Sequence, residues 1–129
     1  MIDWIKKLLG LDHNPTGRYY VYELTDPRFN PPRVFYVGKG LGGRMYEHEK
    51  DMRRLLKRGR GGVLRLQPKH KRILEIVDDG EKVVYQVIFR TDNEAEAYRV
   101  ESWYIDKIGL EHLTNEQYGY KPKKRGRAA

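Results

Sequence analysis

The chain has 129 residues, a length typical of one domain. It contains no cysteine, which excludes disulfide bonds and thiolate metal sites. Its 26 basic and 18 acidic residues give a formal net charge of +8, which favours a polyanionic partner.

The basic residues cluster at 53–62, 68–72 and 121–127, and the chain also has 10 tyrosines. Cations hold phosphates and aromatic rings stack on bases, so this mixture favours nucleic acid over a membrane surface. A basic face that only aids solubility is the alternative. No apolar run approaches the ~20 residues that a membrane helix needs, and the first one is too short for a secretion signal. We therefore expect a protein without membrane association, cytoplasmic or, in a eukaryote, nuclear.

The first predicted element is a short amphipathic helix at Ile2–Leu9, a candidate docking site for a protein partner. A linker of turn-forming residues follows it. We predict three segments: helix and linker over 1–17, a folded domain over 18–120, and a basic disordered tail over 121–129.

Two strands are predicted next. Residues 18–24 alternate and are rich in aromatic and β-branched side chains, and residues 33–38 repeat this pattern, so we expect a hairpin. The glycine-rich segment 39–43 predicts a tight loop. A helix over 44–57 is expected after it, and then a flexible basic loop over 58–62.

Residues 68–77 predict another helix, and residues 82–89 a third strand, which we place at the centre of the sheet. The last predicted helix begins after Asn93, a good N-cap, and ends at Gly109. The expected fold is therefore α/β (α+β), with a small central antiparallel three-stranded sheet flanked by helices.

Tyr22 and Tyr36 lie on the two paired strands. Side chains repeat every second residue along a strand, so both tyrosines can face one pocket. A purely structural cross-strand aromatic pair, worth up to ~1 kcal/mol, is the alternative.

Arg44 and His48 are four residues apart and share one helix face. Gly38 and Gly40 precede that helix and allow backbone and ligand to approach closely. An anion at the helix N-terminus can then be clamped by Arg44. The spacing is not that of a P-loop. The alternative interpretation of this segment is only a strand, a turn and a surface helix.

Glu101 lies among apolar neighbours on the last helix. A carboxylate near the inward face needs a partner, a proton or a metal, because an unpaired buried charge is costly. Pairing with Arg99 or Lys107 at the rim is the alternative. Asn115 is either a turn former or a structural hydrogen-bonding residue.

Together these elements resemble the GIY-YIG nuclease family, in the branch that includes the LEM-domain-containing nucleases and stand-alone phage and bacterial members. The resemblance covers about residues 19–119, with Tyr20 at the position of the signature's first glycine. The matching elements are Tyr20-Val21-Tyr22, Tyr36-Val37-Gly38, Arg44 with His48, Glu101, and Leu113-Thr114-Asn115 with Gly119 beyond.

The resemblance implies a metal-dependent endonuclease that hydrolyses phosphodiester bonds in DNA, with RNA a weaker expectation. It implies that Glu101 holds one Mg²⁺ or Mn²⁺ ion and that Tyr22 is the general base. Arg44 stabilises charge and Tyr36 orients the water or a phosphate. His48 accepts the proton of Tyr22, and Asn115 holds the site together.

The cations Arg44 and Lys39 are expected to lower the pKa of Tyr22. No small-molecule cofactor is expected. Two other functions remain open: a catalytically inactive nucleic-acid-binding module of the same fold, and a small protein-interaction module. The expected substrate-binding residues are Gly38, Lys39, Gly40, Arg53, Arg58 and Arg60.

Overall fold

The computed structural model describes residues 16–116. Three strands form one antiparallel sheet: β1 (Tyr19–Asp26), β2 (Arg33–Leu41) and β3 (Val84–Thr91). The strand order is β2-β1-β3, so β1 is the central strand. The expected hairpin of β1 and β2 is confirmed, with Tyr22 opposite Gly38 and Leu24 opposite Tyr36.

Within residues 16–116, four α-helices accompany the sheet: α1 (Glu47–Lys57), the single-turn α2 (Arg60–Val63), α3 (Pro68–Asp78) and α4 (Glu94–Ile108). Short 3₁₀ turns precede α1 and follow α4. The side chain of Asn93 caps α4 by accepting from the backbone N–H of Glu96, and Gly109 ends it with φ +94°. The expected α+β fold with a three-stranded sheet flanked by helices is confirmed.

Each face of the sheet has its own core. One contains Val21 and Val37 packed against the buried residues of α4. The other contains Tyr20, Tyr22 and Leu24, which pack against buried residues of α1 and α3. Since neighbouring residues of a strand point to opposite faces, the aromatic alternation of β1 places the tyrosines under α1.

A buried ion cluster joins the end of β1 to α3. The fully buried carboxylate of Asp26 accepts hydrogen bonds from Arg28 and, at 2.7 Å, from Arg72 Nε of α3. Burial alone would raise the pKa of Asp26, but these hydrogen bonds outweigh it and hold the pKa well below its usual range. The cluster fixes the position of α3 against the sheet.

Three expectations about elements were wrong. β3 is an edge strand; β1, bonded on both sides, occupies the centre instead. β2 continues through Leu41, because Lys39 and Gly40 pair with Val21 and Tyr20. The basic segment after α1 contains the helical turn α2 rather than only a flexible loop.

The Ile2–Leu9 helix and the 121–129 tail lie outside the described residues, so the predicted division into three segments stays a prediction. Within residues 16–116, no helix is long and apolar enough to cross a membrane.

Candidate active site

An open cleft with a volume of about 440 Å³ lies at the β2 edge of the sheet, where α4 covers one face and α1 the other. It brings together residues from both paired strands, the turn before α1, the first residue of α1, and α4. The residues that line it are Tyr22, Tyr36, Lys39, Gly40, Leu41, Arg44, Glu47, Tyr98 and Glu101.

The hydroxyl of Tyr22 forms a 2.5 Å hydrogen bond with Nε2 of His48, and both side chains are buried. Burial, followed by the charges of Lys69 and Arg44, lowers the pKa of His48 to about 3. The imidazole is therefore neutral at physiological pH, and its Nε2 accepts the hydrogen bond that the Tyr22 hydroxyl donates.

The expected lowering of the Tyr22 pKa was wrong. Burial and the neighbouring Tyr36 raise the pKa of Tyr22 above its ordinary value, although Arg44 acts in the opposite direction. The Lys39 ammonium is paired with another group, because its Nζ bonds the Glu94 carboxylate at 2.5 Å. The effect of desolvation on the Tyr22 pKa outweighs the opposite effect of the partly solvated Arg44 cation. The Tyr22 hydroxyl therefore remains protonated at neutral pH.

Tyr36 lies beside this pair. Its ring packs edge-on against the His48 ring, with 4.8 Å between the centroids. Burial and the negative charge of Glu101 raise the pKa of Tyr36. A second cation, Lys69 at the start of α3, has its Nζ 5.1 Å from the centroid of the Tyr36 ring.

The glycines of β2 make room for the tyrosines. A Cβ on Gly38 would lie 2.5 Å from the Tyr22 hydroxyl, and one on Gly40 would lie 2.8 Å from the Arg44 Cβ. The hydroxyl of Tyr20 donates to the Gly42 carbonyl at 2.5 Å and accepts from the Met45 backbone N–H. Tyr20 therefore anchors the glycine turn that positions Arg44.

Arg44 is half-exposed and lies 3.7 Å from the carboxylate of Glu47. Its charge acts to lower the pKa of Tyr22, Tyr36 and His48, although burial leaves the pKa values of the two tyrosines raised. A guanidinium in this position has donors available for an anion in the cleft, as the sequence predicts.

Glu101 reaches the same cleft from α4, and its charge contributes to the raised pKa of both Tyr22 and Tyr36. Within residues 16–116 there is no group of three or more histidine, cysteine, aspartate or glutamate side chains suited to a metal ion. One carboxylate at an open cleft nevertheless fits Mg²⁺, because that ion keeps several waters and binds substrate phosphates.

Asn115 lies away from the cleft and bonds the backbone of β2. Its side-chain oxygen accepts from Val37 N–H at 3.0 Å and its amide donates to Val37 O at 2.8 Å. Thr114 adds bonds to the Phe35 carbonyl. Asn115 thus ties the segment after α4 to the strand that carries Tyr36.

Arg53, Arg58 and Arg60 do not line the cleft. Arg53 is paired with Glu49 within α1, whereas Arg58 and Arg60 lie beyond the C-terminal end of that helix. Neither Lys69, Tyr98 nor the anchoring role of Tyr20 is predicted from the sequence. A basic run at 68–72 was the one available signal for Lys69, and only the docking of α3 distinguishes it from Lys71.

Comparison with known proteins agrees with this arrangement. The family profile described as "LEM-3-like GIY-YIG domain" matches residues 21–127. A human protein, "Ankyrin repeat and LEM domain-containing protein 1", is 33% identical over 87 residues, which is 67% of this chain and 14% of that protein. The chain therefore spans about a seventh of that relative's length. No solved structure matches. The chain belongs to the LEM-3-like GIY-YIG domain family, a branch of the nuclease-type GIY-YIG domains.

Proposed function

We propose that this domain is a metal-dependent endonuclease that hydrolyses phosphodiester bonds in DNA. The observation that carries the proposal is the hydrogen bond of the Tyr22 hydroxyl to neutral His48, on the wall of a cleft that also contains Arg44 and Glu101. A phosphate ester needs an activated water, stabilisation of negative charge and help for the leaving oxygen. These side chains have the matching chemistry.

Tyr22 moves the proton. Its hydroxyl donates to His48 Nε2, and Tyr22 lines the cleft, so its oxygen can accept a proton from a water bound there. As that proton arrives, the Tyr22 proton can pass to Nε2, which is unprotonated. This relay removes the need for a preformed phenolate, which the burial of Tyr22 disfavours.

The other residues position the phosphate. Arg44 can donate two parallel hydrogen bonds to phosphate oxygens, and its charge favours the extra negative charge of the transition state. The Tyr36 hydroxyl can orient the water or a phosphate oxygen. Lys39 is mostly buried at the cleft and adds positive charge beside Glu94 and Tyr98.

Glu101 is the residue that would hold one Mg²⁺ or Mn²⁺ ion, which supplies Lewis-acid stabilisation of charge on the phosphate and on the leaving oxygen. Glu101 is also the carboxylate whose charge reaches both phenols, so its replacement changes the electrostatics of the whole cleft.

The net charge of +8 supports a nucleic-acid substrate. An external water attacks the phosphodiester in this scheme and a 2′-hydroxyl has no role, so the scheme is compatible with a DNA substrate.

The test compares the parent with Glu101→Gln in a cleavage assay on duplex DNA, with and without Mg²⁺. We expect metal-dependent cleavage by the parent and a loss of at least about 100-fold in the variant, because metal stabilisation is worth several kcal/mol. Duplex affinity without metal should be unchanged or tighter, since one anion is removed. Glu111→Gln, an exposed carboxylate outside the cleft, is the matched control and should cut like the parent.

Undiminished cleavage by Glu101→Gln would exclude the metal role. Tight DNA binding by a parent that never cuts would favour the inactive nucleic-acid-binding module, and the absence of DNA binding would favour the protein-interaction module.

A further inference from the structure

The turn after α1 presents two adjacent apolar side chains to solvent. Val63 is 46% exposed and Leu64 is 76% exposed. Leu66, two residues further on, packs against the core instead. The chain therefore has an apolar residue directed inward in this segment and two directed outward.

This turn is held firmly against α1. A Cβ on Gly62 would lie 1.8 Å from the Leu55 carbonyl oxygen, so only glycine allows this contact. Gly59 has φ +70°, and the backbone N–H groups of Val63 and Leu64 donate to Gly59 and Arg60 at 3.0 Å. The two apolar side chains are thus presented by a fixed backbone.

The surroundings of the apolar pair are strongly basic. Arg58, Arg60 and Arg65 are exposed, and within the described part of the chain none of them forms an ion pair with a carboxylate. Two arginines of α1 differ in this respect, since Arg53 pairs with Glu49 and Arg54 with Asp51. Among the described residues, the three arginines of the turn are therefore uncompensated, whereas the two arginines of α1 are paired.

We propose that Val63 and Leu64 form an apolar wedge that enters duplex DNA at a base-pair step, while Arg58, Arg60 and Arg65 bind the flanking phosphates. Architectural DNA-binding proteins use this combination: an apolar side chain partly unstacks one step, and cations hold the backbone on either side. The proposal rests on the nucleic-acid part of the proposed function.

The position of the turn agrees with this use. His48 lies in the first turn of α1, and Gly62 packs against the Leu55 carbonyl of that helix, so the wedge lies about 10 Å from His48 along the helix axis. That length corresponds to roughly three base-pair steps at ~3.4 Å each. A duplex lying along α1 would therefore reach the cleft and the wedge together.

Other occupants fit the turn less well. Two side chains offer far less than the ~800 Å² per partner that a stable protein interface buries. A second copy of the chain would bring its own arginines against these, which charge repulsion disfavours.

The experiment measures 2-aminopurine fluorescence in short linear duplexes without divalent metal, so that no cleavage occurs. The probe base is placed at successive positions in a set of duplexes, and its fluorescence rises where stacking is lost. We expect the saturating parent protein to raise the signal severalfold at positions about three steps from the cut site mapped separately with Mg²⁺. Leu64→Ser should lose most of this rise, and Leu64→Met should keep it.

Two controls separate apolar contact from charge. Val84→Ala removes a side chain of equal exposure on β3 and should leave the signal unchanged, whereas Val63→Ala should reduce it. Arg60→Gln should lower affinity and reduce the salt slope by about 0.9, while Arg54→Gln, whose arginine is already paired, should change it less.

An unchanged signal with Leu64→Ser, or no rise with the parent bound to DNA, would overturn the wedge. A rise that depends on Leu64 in a protein that never cuts DNA would support the wedge and contradict the proposed nuclease function. Concentration-dependent self-association that Leu64→Ser abolishes, with no fluorescence change on DNA, would assign the surface to a second copy instead.

Discussion

At the level of single residues, the buried hydrogen bond between the Tyr22 hydroxyl and His48 Nε2 couples the protonation of the two side chains. Burial raises the pKa of the phenol and lowers that of the imidazole, so both groups are neutral and share one proton. Their coupling is therefore a hydrogen bond between two neutral groups rather than an ion pair.

Tyr22→Phe tests this pair. We expect cleavage to fall by at least about 100-fold because the proton acceptor is lost. We also expect stability to fall by about 1–3 kcal/mol, because His48 Nε2 is left buried without its partner. Cleavage assays and urea unfolding measure the two effects. Tyr85→Phe removes a phenol bonded to Glu49 elsewhere and should leave cleavage intact. Full activity in Tyr22→Phe would disprove the general-base role.

Lys69 offers a second test at this scale. Its ammonium lies over the Tyr36 ring, and burial and Arg44 lower its pKa. We expect Lys69→Met to reduce cleavage by about 10-fold or more and to weaken DNA binding, because a cation beside the cleft is removed. Lys71→Met makes the same change at an exposed site on the same helix and serves as the control. Equal effects of the two variants would mean that Lys69 contributes only general charge.

At the scale of elements, the site depends on how the segment after α4 is attached to β2. Asn115 satisfies both backbone groups of Val37, on the edge strand that also carries Tyr36. The link fixes the cleft wall without entering the cleft. In the proposed mechanism, Asn115 would act on the chemistry through the position of β2.

Asn115→Ala should lower stability by about 1–2 kcal/mol, since two hydrogen bonds to β2 are lost. We expect cleavage to decrease by a larger factor than DNA binding, because Tyr36 is no longer held in place. Unfolding curves and separate kcat and KM values measure this. Thr114→Val removes only the hydroxyl bond to Phe35 and should affect stability without the selective loss in kcat. A variant with parental kcat would show that the attachment is purely structural.

At the scale of the whole molecule, acid should destabilise the fold through the buried histidine. His48 has a pKa of about 3 in the folded chain and an ordinary value of 6.5. Between these values the unfolded chain binds a proton that the folded chain does not, so stability falls as pH decreases through this window. His70, whose pKa burial also lowers, acts in the same direction.

We therefore expect the parent to lose stability steadily from pH 6.5 downward, and His48→Gln to lose less over the same range although it is less stable at pH 7. Urea unfolding at a series of pH values measures the slopes. His112→Gln changes an exposed histidine and should match the parent slope. Parallel slopes for the parent and His48→Gln would show that His48 is not neutral in the fold.

Interactions between residues close together in the sequence determine most of the helices and strands. Alternation of aromatic and β-branched residues is a property of adjacent positions, so β1 and the hairpin with β2 could be predicted. Asn93 and Gly109 define the ends of α4 because capping involves only neighbouring backbone groups. The motif residues Tyr22, Tyr36, Arg44 and Glu101 could be identified from the same string, and the fold brings them to one cleft.

Only the tertiary structure decided properties that depend on distant elements. Burial beneath α1 and α3 gives Tyr22 a raised pKa where the sequence predicts a lowered one. Hydrogen bonding on both sides makes β1 the central strand, although the apolar run of β3 favours that place for β3. The docking of α3 brings Lys69 to Tyr36, and the packing of Gly62 on Leu55 directs Leu64 into solvent. Desolvation and packing arise between elements, so no local pattern specifies them.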